Sequence, residues 1–342
     1  MAFDDGLFDT LGLRSWCGEE KSDGPMTMAE LLAQARGGTE EKAWWDIPFP
    51  SLDNLNESCQ SIARTRDMTA GVADAFLAVK DSIKVVLDPI TQPLSWILDY
   101  SLAFFGGMPW WLLVLLILFV SFYASRSIAV TVFVAICFLF FAFIDHYSFA
   151  VQTLSIIAVC TLISVLIGVP IGIAMSKYDW FQRANIPVLD MLQTLPTFVY
   201  LIPLIFLFSV TESKLYGIAI ILYAIVPVIR LTDLGIRLVD KDVIEAADAF
   251  GMSARQKLFG VEIPLALPNI MAGINQTIMM SLAMVVIASL VSAPGLGVLV
   301  LRGIRNLELG VGLIAGFCIV LLAVILDRVS KASLARINAA QS

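Results

Sequence analysis

The polar residues of this chain that could do chemistry are concentrated in one short charged segment. Residues 245–268 read EAADAFGMSARQKLFGVEIPLALP and lie between two long apolar stretches. The chain has a single histidine, His146, and it has no Gly-x-x-x-x-Gly-Lys-Ser/Thr phosphate-binding loop. No Ser/His/Asp or Cys/His set for nucleophilic catalysis can be assembled from the sequence. The segment therefore favours recognition of another protein over bond-breaking chemistry.

The charged segment predicts two short helices around a glycine. Gly251 can adopt the left-handed conformation that ends a helix. Ser253 and Gln256 then have the Ser-x-x-Gln spacing of a capping box, which starts a second helix. Gly260 can end this second helix, and Pro264 fixes the path back into apolar sequence. A rigid helical knob is one interpretation of the segment, and an ordinary loop with solvated charges is the other.

The sequence around this segment is mostly apolar. Of the 342 residues, 58% are hydrophobic, and the mean hydropathy is +0.85, whereas soluble domains are about 45–50% apolar. Residues 1–100 hold 17 of the 29 acidic and 8 of the 22 basic residues, whereas residues 101–342 hold 12 acidic and 14 basic residues. We therefore predict an acidic N-terminal region, 1–100, and a membrane domain, 101–342. The acidic balance argues against a nucleic-acid partner.

An all-α polytopic membrane protein with about seven spans is predicted, because a helix needs about 20 apolar residues to cross the hydrocarbon. The spans are expected at residues 103–124, 128–144, 149–175, 187–210, 215–230, 266–292 and 309–327. Three cysteines lie within these spans and are expected to be packing residues: Cys137, Cys160 and Cys318.

The distribution of Lys and Arg predicts the orientation of the chain. With the N-terminus outside, the internal loops and tail hold 11 of these residues and the external turns hold 3, Lys214, Arg302 and Arg305. The N-terminal region is therefore expected to be periplasmic, and the loop 231–265 and the C-terminus are expected to be cytoplasmic. The first 30 residues have no basic region followed by an apolar stretch, so we expect no cleaved signal peptide.

The acidic N-terminal region is expected to contain an amphipathic helix near residues 70–92. Its apolar residues recur at three- and four-residue steps: Val72, Phe76, Val79, Ile83, Val86 and Ile90. We expect this helix to lie on the outer membrane surface, where its acidic face is either solvated or receives a solute-binding protein. Cys17 and Cys59 could form a disulfide bond in this compartment.

Polar residues inside the predicted spans are candidates for a solute path. Gln193 and Thr194 share a helical face with Asp190, which could instead cap the helix or pair with Arg183. Pro196 then frees a backbone carbonyl. The other candidates are Asn275, Gln276 and Thr277 in the sixth predicted span and the aromatic residues Phe198 and Tyr200, which could face a quaternary ammonium group. Hydrogen bonds between helices would use the same polar residues, and packing would use the same aromatic ones.

One motif in the charged segment resembles the EAA loop of ABC importer permeases. The chain has Glu-Ala-Ala at 245–247, three residues, Gly251, nine residues and Val-Glu-Ile-Pro at 261–264. The spacing is kept in full, with Val and Ile where the family pattern has Ile and Leu. Four stretches are similar to the permease of glycine betaine/proline importers: QTLPTFVYLIPLIFLF (193–208), VPVIRLTDLGI (226–236), LPNIMAGINQTIMMSLAMVVIASLV (267–291) and GLGVLVLRGI (295–304).

The resemblance implies a type I ABC importer permease fold, and it also implies particular protein partners. In that family the EAA loop docks on a cytoplasmic ATPase, which binds ATP and Mg, so no cofactor is expected in this chain. The resemblance also implies an extracytoplasmic solute-binding protein, a permease homodimer and a bacterial inner membrane. The expected ATPase-coupling residues are the motif positions Glu245, Ala246, Ala247, Gly251 and Pro264, with Ala254, Arg255, Gln256 and Phe259 added from the helical pattern.

The function implied by the resemblance is transport of a small osmolyte or methylated amine, such as glycine betaine or proline. Choline, carnitine and trimethylamine N-oxide fit the same role. A secondary transporter would usually show repeats related by pseudo-symmetry, and none is visible. A channel or a membrane-anchored sensor would not explain the EAA spacing. We therefore expect a transport subunit rather than an enzyme.

Overall fold

A computed structural model describes residues 51–53, 56 and 61–341 of the chain, and for residues 337–341 it describes the backbone alone. The chain forms two compact units, Met1–Ser82 and Ile83–Ser342. Within the described residues the regular secondary structure is helical. The expected Cys17–Cys59 disulfide lies outside these residues.

Twelve α-helices are described, and three short turns of other helical types connect some of them. The α-helices are α1 Thr65–Gly107, α2 Trp110–Ser125, α3 Ile128–Phe143, α4 Tyr147–Lys177, α5 Asp179–Thr194, α6 Leu201–Leu207, α7 Ser213–Arg237, α8 Lys241–Ala249, α9 Ala254–Lys257, α10 Ile263–Ala288, α11 Leu296–Arg305 and α12 Leu309–Gln341. The 3₁₀ turns are Thr197–Tyr200 and Ser289–Val291, and a π-helical turn spans Leu258–Glu262.

The helices are long and apolar enough for a polytopic membrane protein, which confirms the predicted fold class. Four stretches could each cross a membrane: Tyr147–Lys177, Ser213–Arg237, Ala254–Val291 and Leu309–Arg336. Two bent pairs of helices raise this number to six if each pair counts as one span, and α3 is a shorter apolar helix. The described residues therefore give four to six spans by length and composition, and the expected number of seven is not reached by this measure.

The expected span 103–124 is wrong as a single straight helix. Helix α1 ends at Gly107, α2 starts at Trp110, and the two helices meet at an angle of 112°. Glycine has low helix propensity, and Pro109 disfavours a helical conformation in the residue before it. The pair Gly106-Gly107 followed closely by Pro109 therefore breaks the apolar block.

The expected span 187–210 is broken in the same way. Helix α5 ends at Thr194, and the segment Thr197–Leu207 continues at an angle of 106°. Leu195, the residue before Pro196, has ψ 133°. Proline disfavours the helical conformation in the residue that precedes it, so the chain becomes extended here.

Helix α7 is the centre of the membrane domain and packs mainly against α4 and α10. Two glycines permit this close approach. A Cβ atom at Gly172 would lie 2.7 Å from the carbonyl oxygen of Ile229, and one at Gly273 would lie 3.1 Å from the Cα atom of Val228. Small residues at helix crossings let backbones come together, so the three helices form one tightly packed body.

The expected amphipathic helix lies inside α1, which continues beyond residue 92 to Gly107. In the unit Ile83–Ser342, Asp88 of this helix accepts a hydrogen bond from Lys214 Nζ at 2.8 Å. Lys214 is only 2% exposed and also pairs with Glu212. Lys214 is therefore a buried, paired residue at the start of α7 rather than a solvated cation of an external turn.

Candidate functional site

The segment after α7 folds into the expected helix–turn–helix. The side chain of Asp240 caps α8 by accepting a hydrogen bond from the Asp242 N–H at 3.0 Å. Gly251 has φ +71°, in the left-handed region. The Met252 N–H donates to the Ala247 carbonyl at 3.1 Å, and the Gly251 N–H donates to the Asp248 carbonyl at 2.9 Å. These two bonds form a Schellman motif, so the predicted helix end at Gly251 is confirmed.

The expected capping box is also present. The Ser253 side chain accepts a hydrogen bond from the Gln256 N–H, and the Ser253 N–H donates to Gln256 Oε1 at 2.8 Å. Lys257 then reaches back across the turn to Asp248, with its Nζ 2.7 Å and 2.9 Å from the two carboxylate oxygens. Caps at both helix ends and this ion pair hold α8 and α9 in one arrangement, as the knob interpretation requires.

Most of the expected coupling residues are exposed on this loop. Glu245, Ala246, Gly251, Ala254, Arg255, Gln256 and Phe259 are all exposed. Phe250, which the sequence analysis did not select, is 88% exposed, and Phe259 is 64% exposed. Large apolar side chains in water on a rigid polar loop are typical of a surface that another protein covers.

Ala247, one of the expected coupling residues, does not lie on this surface. It is 5% exposed. Ile244, one turn earlier on the same side of α8, packs with Ile236 and Ala266. Because residues three apart share a face of a helix, Ala247 belongs to the inner side of α8. Of the two alanines of the Glu-Ala-Ala motif, Ala246 is therefore the exposed one.

The expected helix end at Gly260 is also wrong. Helix α9 continues through the π-helical turn Leu258–Glu262 into α10, so that residues 254–291 form one long helical stretch. The π turn accommodates an extra residue without breaking the helix. Pro264 falls in the first turn of α10, where its missing N–H costs little.

Both ends of the loop are held by charged groups that sequence reasoning missed. Glu262, which is 3% exposed, pairs with Lys177 at the end of α4. Arg237, at the end of α7, donates to Asp233 Oδ1 and to Asp179 Oδ1, both at 2.9 Å. An acidic residue four positions before an arginine within an apolar helix was the available sequence signal for the Asp233–Arg237 pair.

The path candidates Gln193 and Thr194 lie at the end of α5, just before the break at Pro196. Gln193 is half-buried and Thr194 is exposed. Asp190 pairs with Arg230 of α7, so the expected pairing with Arg183 is wrong. Arg230 lies on a neighbouring helix that only the tertiary structure brings within reach. Phe198, in the turn after Pro196, is 57% exposed.

Tyr200 is not available to a solute, because it completes the hydrogen bonding at the break. Proline has no N–H, so Pro196 leaves the carbonyl of Leu192 without its usual helical donor four residues later. The Tyr200 hydroxyl donates to this Leu192 carbonyl. The Tyr200 side chain is 7% exposed. Tyr200 therefore stabilises the bend between α5 and the following turn, and its expected contact with a solute is not supported.

The three consecutive polar residues of α10 point in different directions. Asn275 accepts a hydrogen bond from the Ser330 hydroxyl of α12, and Thr277 is fully buried. Gln276 is exposed. Asn275 thus joins two helices, and Thr277 lies in packed surroundings, so neither lines an open surface in this conformation. Gln276 keeps the position expected of a path residue.

These features define a class of protein. The described residues form a polytopic helical membrane protein in which one capped, exposed loop connects two apolar helices. This loop is tied by charged groups to the end of a third helix. This is the arrangement that the sequence predicted for a membrane subunit with a docking loop, and the docking of a second protein there stays a prediction.

Comparison with known proteins identifies the family. The model described as "Binding-protein-dependent transport system inner membrane component" matches residues 162–339. The glycine betaine transport system permease protein OpuAB of Bacillus subtilis is 40% identical over 262 residues, which cover 76% of this chain and 86% of that protein. The glycine betaine/proline betaine permease protein ProW of Escherichia coli is 35% identical over 286 residues, covering 83% and 80%. The glycine betaine/carnitine permease protein GbuB of Listeria monocytogenes is 39% identical over 247 residues, covering 71% and 87%.

This chain belongs to the family of inner-membrane permease components of binding-protein-dependent ABC importers. The resemblance carried by the EAA spacing is thereby confirmed, as is the expectation of a transport subunit rather than an enzyme. Importers of this family act with an ATPase and a binding protein. A chain of the MetNI methionine ABC transporter, solved in inward-facing conformations, shares the fold with a TM-score of 0.51 at 17% identity, covering 56% of this chain and 95% of that chain.

The Tyr200–Leu192 hydrogen bond leads to a stability prediction. Tyr200→Phe removes the hydroxyl and leaves the Leu192 carbonyl without its donor in apolar surroundings, which should cost about 1 kcal/mol or more. The thermal unfolding midpoint of the detergent-solubilised protein should fall. Tyr178→Phe is the matched control, because Tyr178 is 60% exposed, and its effect should stay within about 0.5 kcal/mol. Equal midpoints for the two variants would contradict the role given to Tyr200.

Proposed function

We propose that this chain carries glycine betaine, or a closely related methylated amine, across the inner membrane, driven by ATP hydrolysis on a separate subunit. The observation that carries the proposal is the identity of 35–40% to three permeases named for glycine betaine, over 71–83% of this chain. Relatives named for trimethylamine N-oxide and for choline support the broader class of small methylated amines. Proline and carnitine belong to the same group of candidates.

The loop 241–262 is the proposed docking element for the ATPase. Its caps and the Lys257–Asp248 ion pair favour a rigid shape, and Phe250 and Phe259 offer exposed apolar anchors. Glu245, Ala246, Arg255 and Gln256 complete the proposed contact surface. Side chains that cluster around exposed aromatic anchors are the usual source of binding energy at protein interfaces. ATP and Mg would be bound by the ATPase subunit and not by this chain.

The proposed solute path follows Gln193, Thr194, Phe198 and Gln276. These residues are half-buried or exposed and lie at the bend after α5 or on α10. An aromatic face at Phe198 suits a quaternary ammonium group through cation–π attraction. Amide and hydroxyl groups suit the carboxylate of the same solute, and such uncharged contacts keep binding weak enough for release.

The orientation and the oligomeric state are further parts of the proposal. The 11-to-3 division of Lys and Arg supports a cytoplasmic loop, a cytoplasmic C-terminus and a periplasmic N-terminus. Two copies of the chain are proposed to form the membrane part of the complex, as the resemblance to ABC importer permeases implies. Protease access to a tag after α12 in vesicles of known sidedness tests the orientation. The mass of the purified complex tests the number of copies.

ATP-driven uptake in proteoliposomes tests the function. The chain is reconstituted with its ATPase and binding protein, and uptake of radiolabelled glycine betaine is measured with ATP and with a non-hydrolysable analogue. We expect uptake only with ATP, and competition by choline, carnitine, proline and trimethylamine N-oxide ranks the candidates. Uptake that follows an ion gradient without ATP would instead support a secondary transporter.

Replacing Gly251 tests the coupling role in the same assay. Gly251 has φ +71°, and a Cβ there meets no atom within 4 Å, so the strain comes from the backbone conformation rather than from a clash. Gly251→Val should therefore cost about 1–3 kcal/mol of local strain and disturb the loop without disturbing the spans. Recovery of the ATPase with the permease and ATP-driven uptake should both fall. Wild-type values for both would remove the loop from the coupling role.

Replacing Gln193 tests the path. Gln193→Leu keeps a similar volume and removes the polar group. Uptake per assembled complex should fall while the thermal unfolding midpoint stays unchanged. Gln152→Leu, at a half-buried glutamine of α4, is the matched control and should leave uptake unchanged. A lower midpoint with unchanged uptake per complex would show that Gln193 only bonds within the protein.

A further inference from the structure

The two ends of the loop converge on one short stretch of the chain, residues 175–179, where α4 ends and α5 begins. We call this stretch the α4–α5 junction. At the exit of the loop, the carboxylate of Glu262 pairs with Lys177. At the entry, the guanidinium of Arg237 donates to the Met175 carbonyl at 2.8 Å and to Asp179 Oδ1 at 2.9 Å. One junction therefore holds both ends of a loop whose own sequence lies more than 60 residues further along the chain.

The bond at the exit of the loop is costly to break. Glu262 is 3% exposed, whereas the Lys177 side chain is 37% exposed. Separating the pair would leave a buried carboxylate without its counter-charge, which is strongly destabilising. A displacement of the start of α10 should therefore move the end of α4 with it rather than break the pair.

The junction is continuous with α5, the helix that contains the proposed path residues Gln193 and Thr194. Helix α5 starts at Asp179 and ends at Thr194, immediately before the bend at Pro196. It is also bonded to α7, because Gln182 Nε2 donates to Asp233 Oδ2 at 2.6 Å and Asp190 pairs with Arg230. A movement that enters at residues 175–179 reaches Gln193 through one continuous helix of about four turns.

We propose that the α4–α5 junction receives the motion of the loop and passes it to α5, with Lys177, Glu262, Arg237 and Asp179 as positioning residues of the transport cycle. This inference rests on the proposed function, because it assumes that an ATPase moves the loop. In this proposal the motion of the loop reaches the spans by a second route, in addition to the direct connections of the loop to α7 and α10. None of the four residues contacts the solute in this role.

The ratio of glycine betaine transported to ATP hydrolysed separates this role from simple stabilisation. The full complex is reconstituted with its ATPase and binding protein, and the ratio is measured for the wild type and for Glu262→Gln. Loss of the charge should lower the ratio by roughly fivefold or more, the lower end of usual coupling between two sites. The thermal stability and the yield of the assembled complex are measured on the same samples.

Two further variants and one control keep the test decisive. Asp179→Asn removes the negative charge that faces Arg237, at a side chain that is 66% exposed, so the protein should fold, and the ratio should fall by a smaller factor. The charge exchange Lys177→Glu with Glu262→Lys should recover part of the ratio that Glu262→Gln loses. Glu308→Gln is the control, since Glu308 pairs with Arg302 at 3.2 Å in the turn between α11 and α12, and its ratio should equal that of the wild type.

The outcomes distinguish this inference from the proposed function. If the wild type takes up glycine betaine with ATP but Glu262→Gln and Asp179→Asn keep its ratio, the junction plays no part in coupling and the inference is overturned. Loss of stability with an unchanged ratio per intact complex overturns it as well, because the bonds then only stabilise the fold. Failure of the wild type to couple uptake to ATP overturns the proposed function itself.

Discussion

A peptide group inside a hydrocarbon layer has no water to bond with, and this constraint decides where the chain can bend. Helices α4, α7 and α10 satisfy most of their backbone groups internally, and one proline inside each of them removes a single N–H. At two of the breaks between helices, a side chain supplies the missing partner. The Tyr200 hydroxyl donates to the Leu192 carbonyl that Pro196 leaves free. At the start of α11, Thr153 Oγ1 accepts a hydrogen bond from the Leu296 N–H at 2.9 Å.

The second of these breaks also requires a residue without a side chain. Gly295 has φ +121°, and a Cβ atom there would lie 2.3 Å from Thr153 Oγ1. A larger residue would therefore displace the hydroxyl that bonds the Leu296 N–H. These two bends are thus fixed by particular side chains rather than left to flexible sequence.

Several polar residues of the apolar helices serve contacts between helices. Asp233 is 7% exposed and bonds both Gln182 and Arg237, and Asn275 bonds Ser330 of another helix. Once these pairs are made, few uncharged polar groups remain exposed near the bend after α5. The proposed path, with so few polar groups, suits a solute that is bound weakly and released.

Local sequence determined the loop. The Schellman turn at Gly251 and the capping box of Ser253 and Gln256 depend on residues within five positions of each other, so local sequence predicted the helix end and the helix start. Apolar length predicted a polytopic helical membrane protein, and the EAA spacing predicted the family that the comparisons confirm. Pro196 marked the break within 187–210 in the sequence, whereas apolar length did not show that 103–124 is bent, since that break lies within continuous apolar sequence.

Tertiary structure decided which polar side chains are buried or bonded to other helices and which remain exposed. Asn275 and Thr277 resembled Gln193 as candidates in the sequence, but Asn275 bonds Ser330 of another helix, 55 positions away, and Thr277 is fully buried. Likewise, Lys177 and Glu262 are separated by 85 positions, and only the packing of α4 against α10 brings their charges together. Sequence spacing reports on neighbours within a few turns of one helix, whereas burial and ion pairs between helices depend on how whole helices cross.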